Sequence, residues 1–258
     1  MSDSTPISAV VTTLSIIEAM ADYGDPIGVS ELAKIVGANK PRTFRHLRTL
    51  LDRDYVAQDA ETDKYFLSIK LFHLGQSIAA GTSFVKEARQ IMPSLRQKTG
   101  QTVTIGQVEE HGVRILDILK HRSDIEIATP PGTLFDFHSS AQGKIAMAFG
   151  PQTLLDKVAR NNLKQHTDRT CIDADSLRFE VAKVARNGWA VAPEEALIGV
   201  NALAAPVFDA AGQLAGTLTI VGSIQHLPTT PEPAVIAAVQ DAAARVSARL
   251  GYQEAATA

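Results

Sequence analysis

Lys40, Arg42, Thr43, Arg45 and His46 crowd into seven consecutive positions. Cations and hydroxyls at that density suit one chemistry, the gripping of phosphate oxygens and the reading of base edges. From Lys34 to Arg53 there are six Lys or Arg (34, 40, 42, 45, 48 and 53) against one acid, Asp52, a local formal balance of +5. Lys40 and Arg42 would stand in the first turn of a helix, where the dipole is already positive, so each placement costs a few tenths of a kcal/mol in isolation. Nearby phosphates reverse that sign. A solvated helix face accounts for most charge runs; the segments on either side argue against it here.

Those segments read as a positioning device. Ser30 to Gly37 predicts a short helix capped by Ser30, with Leu32, Ile35 and Val36 as its apolar stripe and Gly37 to end it. Asn39 can cap a second helix, Pro41 suits its first turn, and Phe44, Leu47, Leu50 and Leu51 recur at the spacing of a buried face. Lys40, Arg42, Thr43, Arg45, His46, Arg48 and Thr49 then point outward. Tyr55 to Gln58 alternates as a strand, residues 59–64 form a charged turn with Lys64 near its tip, and Tyr65 to Leu67 returns. Helix, tight turn, basic helix and hairpin in that order predict a winged helix-turn-helix. A preceding helix, Ile7 to Tyr23, offers Val10, Leu14, Ile17 and Met20 to pack behind it.

Composition points to a regulator more than to a general packager of nucleic acid. The 258 residues suit two domains, 45% hydrophobic content supports two cores, and the net charge is only -3. The first 80 residues carry eight Lys or Arg against ten Asp or Glu, so positive charge is focused on one face. No apolar run reaches membrane-spanning length and residues 1–6 lack a signal-peptide layout, which implies a cytoplasmic protein without a membrane partner. Cys171 is the single cysteine, which excludes an internal disulfide and a thiolate metal cage within one chain.

Beyond the wing, Ser68 to Ala80 predicts a linker helix with Leu71, Phe72 and Leu74 open to a second subunit or to intramolecular packing. The expected organisation is a DNA-binding domain over residues 1–67, a linker helix over 68–81 and an effector-binding and oligomerisation domain over 82–258. That last region predicts a helix interrupted or restarted at Pro93 and ending at Gly100, a hairpin of 103–108 and 113–119, and a third strand at 125–128. Helices follow at 140–149, 151–161 and 176–187, strands at 189–192, 202–208 and 213–223, and an Ala-rich closing helix at 232–250. The fold class is α+β with an antiparallel sheet.

Several motifs then identify the chain as resembling the isocitrate lyase regulator (IclR) family of bacterial transcription factors. They are Val29-Ser-Glu-Leu-Ala33, Lys40-Pro-Arg-Thr-Phe-Arg-His-Leu47 and the wing, followed by Ser139-Ser-Ala-Gln-Gly-Lys-Ile-Ala146, Gly188-Trp189, Glu194-Glu195 with Gly199-Val200, and Ala204-Ala-Pro-Val-Phe-Asp209. The resemblance covers nearly the whole chain. It implies a GAF-like effector domain, a double-stranded operator as partner, and assembly as a dimer or dimer of dimers. It also places effector contacts on Ala141 and Gln142, Ala192, Ala202, Thr219 and Val221, where free helix N-H groups would meet a carboxylate. The family's small-oxoacid branch has Asp, Cys and Ser where this chain has Ala192, Ala202 and Val221. Losing three polar groups enlarges an apolar cavity and penalises glyoxylate or pyruvate. A benzoate-like or hydroxybenzoate-like effector is therefore expected, with Phe135, Phe137 and Trp189 as candidate walls, although aromatics beside a sheet more often belong to the core.

Catalytic and cofactor motifs fail. A Walker A loop ending at Gly143-Lys144 would need Gly at 138 and Ser or Thr at 145, where His138 and Ile145 stand. The seven histidines (46, 73, 111, 121, 138, 166 and 226) show no metal-ligand spacing, though His138 adjoins the anion-binding helix start. Glu194-Glu195 reads as solvated or capping rather than as an acid/base pair. No enzyme, cofactor or metal is expected. Two other readings stay open: a constitutive DNA-binding repressor whose C-terminal domain only oligomerises, and a regulator of a small aliphatic oxoacid pathway.

Overall fold

The computed structural model describes residues 6–74, 83–121 and 129–253. The chain divides into two units, Met1–Gly81 and Thr82–Ala258. The strand expected at 125–128 and most of the second half of the linker helix lie outside the described residues.

The first unit holds α1 (Ser8–Tyr23), α2 (Val29–Ile35), α3 (Lys40–Asp52) and an antiparallel ribbon of β1 (Val56–Gln58) and β2 (Tyr65–Leu67); residues 69–74 are again helical. Ile16, Met20, Ile27, Leu32, Leu47, Leu50, Val56 and Tyr65 form its core. Gly37 ends the α2 turn at φ 64°, a conformation that favours a residue without Cβ. The Asn39 carboxamide oxygen accepts the Arg42 amide at 2.9 Å and caps α3 as expected.

Helix phase differs from the sequence expectation in three places. Helix α2 starts at Val29 with Gly28 as its cap, so Ser30 caps nothing, and Ala33 is buried where Ile35, 51% exposed, was expected. Helix α1 buries Ile16 and Met20 and turns Val10 and Leu14 outward. Helix α3 buries Thr43, Leu47 and Leu50 while Phe44 is 48% exposed. Positions 43, 47 and 50 satisfy a helical stripe as well as 44, 47 and 51 do. The Thr43 hydroxyl donates to the Asn39 carbonyl at 3.1 Å, so its burial leaves no polar group unmet.

The second unit is built on one six-stranded antiparallel sheet, in spatial order β5-β4-β3-β8-β7-β6. The strands are β3 (Thr102–Val108), β4 (Val113–Leu119), β5 (Leu134–Phe135), β6 (Ala190–Val191), β7 (Val200–Phe208) and β8 (Leu214–Ser223). Its helices are α4 (Ser83–Thr99), α5 (Ala141–Phe149), α6 (Leu154–Ala159), α7 (Ala174–Asn187) and α8 (Pro233–Arg249). Pro93 lies inside an unbroken α4. Strand period decides the two faces: Val103, Ile105, Leu203, Ala205, Leu218 and Ile220 pack with α4 and α8 residues in the main core. Thr104, Ala202, Ala204, Thr219 and Val221 alternate to the opposite face, where Ala204 packs against Ala141 and Ile145 of α5. Among the described residues no helix is long and apolar enough to cross a membrane.

Candidate functional site

The basic face of α3 is narrower than its sequence implies. Lys40, Phe44, Arg45, Arg48 and Thr49 are exposed, and Arg48 reaches Asp52 at 3.4 Å across a solvated i,i+4 pair. Thr43 is fully buried and cannot meet a base, because it fills the α3 core stripe. The Arg42 guanidinium is taken up by α1: it donates to the Ser8 hydroxyl at 2.7 Å, the Ser8 carbonyl at 3.3 Å and the Thr12 hydroxyl at 3.0 Å. His46 Nδ1 pairs with the Thr13 hydroxyl at 2.8 Å. Burial, then Arg42 and Arg45, hold the His46 imidazolium below its ordinary pKa. Two residues expected on the outer face thus clamp α1 to α3. Lys64 is exposed at the wing, whose turn is organised by Asp59: its carboxylate accepts the amides of Glu61 and Thr62 at 3.0 and 2.7 Å.

In the second unit, a cavity of about 480 Å³ opens between the free sheet face, the start of α5 and the loop of residues 192–200. Seven of the residues expected to meet an effector line it: Phe135, Ala141, Gln142, Ala192, Ala202, Thr219 and Val221. The register explains the grouping. Ala202 pairs with Val221 and Thr104 with Thr219 across neighbouring strands, so their side chains share one face. Phe137 is not in the wall; it is 5% exposed and packs with Val113, Met147 and Leu177 on the other side of α5. Trp189 packs against the α4/α8 core instead.

One end of the cavity is formed by the start of α5. The Ser140 hydroxyl accepts the Gly143 amide at 3.1 Å and donates to the Asp136 carbonyl at 2.7 Å, while Lys144 closes the first helical bond on the Ser140 carbonyl. The amides of Ala141 and Gln142 are left without a partner among the described residues, at the positive end of a buried helix. Gly143 permits this approach: a Cβ there would lie 2.2 Å from the Phe137 carbonyl oxygen. Elsewhere the wall is apolar, with Ile115, Ala192, Ala196, Leu197, Ile198 and Val200. Two buried hydroxyls, of Thr219 and Thr129, have no hydrogen-bond partner among the described residues and border the same cavity.

Sequence reasoning missed the ion pair behind this end. Lys144, 3% exposed, contacts the carboxylates of Glu195 at 2.6 Å and Glu180 at 2.5 Å. Burial opposes its charge, but Glu195 and then Glu180 outweigh burial and hold the ammonium above its ordinary pKa. Burial likewise pushes Glu195 up, against the pull of Lys144. Glu194 behaves as expected of a capping acid and accepts the Gly199 amide at 2.9 Å. Glu195 does not: at 5% exposed it is the inner partner of a buried pair. The only cue in the sequence was a lysine on an otherwise apolar helix.

A winged helix-turn-helix followed by a domain with a largely apolar cavity ended by free helix amides defines a DNA-binding regulator that carries its own ligand-binding domain. Comparison with known proteins agrees. Residues 9–60 match the IclR helix-turn-helix domain and residues 76–248 the bacterial transcriptional regulator IclR C-terminal domain. The chain is similar to the transcriptional regulator KdgR of Escherichia coli, 26% identical over 249 residues that cover 96% of this chain and 94% of the relative. Two solved structures share the fold at a TM-score of 0.85. One is an IclR transcriptional regulator from Alicyclobacillus acidocaldarius, 23% identical over 96% of this chain and 100% of that one. The other is an IclR homologue from Microbacterium hydrocarbonoxydans complexed with 4-hydroxybenzoate, 17% identical over 94% of this chain and 99% of that one. The chain belongs to the IclR family of transcriptional regulators, and its relatives are named regulators rather than enzymes.

Proposed function

We propose that residues 82–258 bind a small aromatic carboxylic acid of the hydroxybenzoate type and that its binding alters the affinity of a cytoplasmic homo-oligomer for its operator. Residues 1–67 would carry the DNA contact and residues 68–81 the connection. The observation that carries this reading is the cavity: about 480 Å³, apolar over most of its wall, with the free amides of Ala141 and Gln142 at one end. That volume is in the range of small-molecule sites, roughly 300–1,000 Å³. The carboxylate would sit on the two amides, the ring against Ala192, Ala202 and Val221, with Phe135 as an aromatic wall. Thr219 supplies a buried hydroxyl that lacks a partner and favours a ligand with a second polar atom. The 4-hydroxybenzoate held by the Microbacterium structure is a ligand of this kind.

On the DNA side we assign base or phosphate contact to Lys40 and Arg45 on α3 and Lys64 on the wing. Arg42 and His46 support them by fixing α3 against α1 and gain phosphate contact only by exchanging those bonds.

A thermal-shift panel of aromatic acids beside glyoxylate and pyruvate tests the ligand assignment, because a ligand specific for the folded state raises Tm. Stabilisation by hydroxybenzoates, weakened by Thr219→Val, is expected. Stabilisation by the small oxoacids alone would overturn the aromatic assignment, and no stabilisation by any acid would favour a constitutive DNA binder.

A further inference from the structure

Outside the cavity, three side chains with metal-ligating atoms meet although the last two are 28 positions apart in the chain: Asp136, His138 and His166. One ligand atom from each lies within 4.8 Å of the others. The His138 Nε2 is 2.8 Å from the Lys164 carbonyl oxygen. A carbonyl only accepts, so Nε2 carries a proton, and a metal would meet this ring through Nδ1, which has no partner among the described residues. Fixing one imidazole nitrogen on a carbonyl so that the other can coordinate is the arrangement that orients metal-bound histidines. His166 Nε2 lies 2.7 Å from the Asp136 carboxylate. The two rings stack with centroids 6.1 Å apart.

We propose that Asp136, His138 and His166 bind one divalent transition-metal ion of the zinc class. Two imidazoles and one carboxylate are the donor set of an open zinc site, with a remaining position for water. Bonds of about 2.0–2.1 Å put tetrahedral ligand atoms about 3.4 Å apart, so small side-chain rotations from the present spacing complete the geometry. Space for the water exists, because Asp136 and His138 border a second cavity of about 210 Å³ shared with Glu110 and His111. That cavity has no lining residue in common with the proposed effector cavity. The ion would nonetheless brace it. Asp136 and His138 lead directly into Ser139 and Ser140, and the residues after His166 hold the opposite loop through hydrogen bonds from Thr167 to the Glu194 carbonyl at 2.6 Å and from Thr170 to the Glu195 carbonyl at 2.7 Å.

The test uses untagged, chelator-stripped full-length protein titrated with Zn²⁺ against a chromophoric chelator, with Co²⁺ absorption as a second readout of the ligand set. One Zn²⁺ per chain at micromolar Kd or tighter is expected, weakened at least about 10-fold by His166→Ala and by Asp136→Asn, and unchanged by His226→Ala. His166 is partly exposed and its side chain bonds only to Asp136 among the described residues, so its loss should leave the fold intact; Asp136→Asn keeps the side-chain volume as an independent check. Absence of binding below about 100 µM, or binding that both variants leave untouched, would show that the cluster is only a hydrogen-bonded brace. Neither result decides the aromatic-acid assignment, which rests on other residues.

Discussion

Replacing Lys144 with Met keeps the volume of the side chain and removes the only cation beside Glu195 among the described residues. The carboxylate, 5% exposed and with one oxygen already lacking a partner, would then be stranded. A buried unpaired carboxylate escapes its desolvation cost by taking a proton. At pH 7 that means protonating a group of ordinary pKa 4.5, and at about 1.36 kcal/mol per pH unit the cost is at most about 3.4 kcal/mol, since burial already raises Glu195 in the wild type. This agrees with the roughly 3–5 kcal/mol known for breaking buried pairs. For a domain of this size it lowers Tm by roughly 7–14 °C. The sign of the pH dependence follows from linkage. In the variant, the folded pKa of Glu195 lies above its unfolded value, so the folded state binds the extra proton and stability falls as pH rises. Acidification to pH 5.5 should therefore shrink the deficit to about 1.4 kcal/mol. Calorimetry of wild type and variant at both pH values, following the transition of the C-terminal unit, reads the difference. A deficit that is large but identical at pH 7 and 5.5 would show that Glu195 is already protonated beside Lys144, and the ion-pair account would fall. A deficit under about 1 kcal/mol at pH 7 would refute the burial argument itself.

Three further outcomes follow from the same geometry. Arg45→Ala should cost about 1–3 kcal/mol of operator binding if the side chain reads a base, whereas equal losses on operator and random DNA in a gel-shift titration would make it a phosphate grip. The His46 proton should titrate by NMR below 6.5, and Arg42→Gln should move the midpoint upward without restoring it fully, because burial is the larger cause. Since the unfolded chain takes that proton first, the N-terminal unit should lose stability as pH falls through 6.5; a midpoint at or above 6.5 would contradict the α1 clamp. Gly143→Ala should cost about 2–3 kcal/mol by chemical denaturation, because the clash is with the Phe137 backbone, and a neutral effect would mean that α5 can shift away from it.

The order of elements was legible because it rests on local signals. Asn39, Gly37 and the hairpin alternation each act within a few residues, and each performs in the structure as its type implies. The phase of α3 was less legible. Thr43 and Phe44 are adjacent candidates for the same stripe, and hydrophobicity alone prefers the phenylalanine. The Asn39 carbonyl, one helical turn back, satisfies the Thr43 hydroxyl and so permits its burial. Arg42 and His46 were misplaced for a related reason: their partners Ser8, Thr12 and Thr13 lie on α1, thirty or more positions back in the chain.

The cavity shows where such reading stops. Ala192, Ala202, Thr219 and Val221 could be grouped through the family resemblance, and strand register then puts them on one face. Phe137 and Trp189 were attractive as walls only because aromatics often line ligand sites. An aromatic two positions from a wall residue has the right strand parity, but Phe137 lies beyond the end of β5, where parity no longer governs direction. Lys144 and Glu195 are separated by fifty-one positions and meet because α5 packs over the loop that carries Glu195. Their pairing places a costly polar contact directly behind the α5 end of the cavity. A shift of the 192–200 loop that admits or releases a ligand must therefore keep Glu195 on Lys144 or break that pair. In the second case ligand entry would carry the cost of a stranded Glu195, and Lys144→Met would then alter ligand affinity as well as stability.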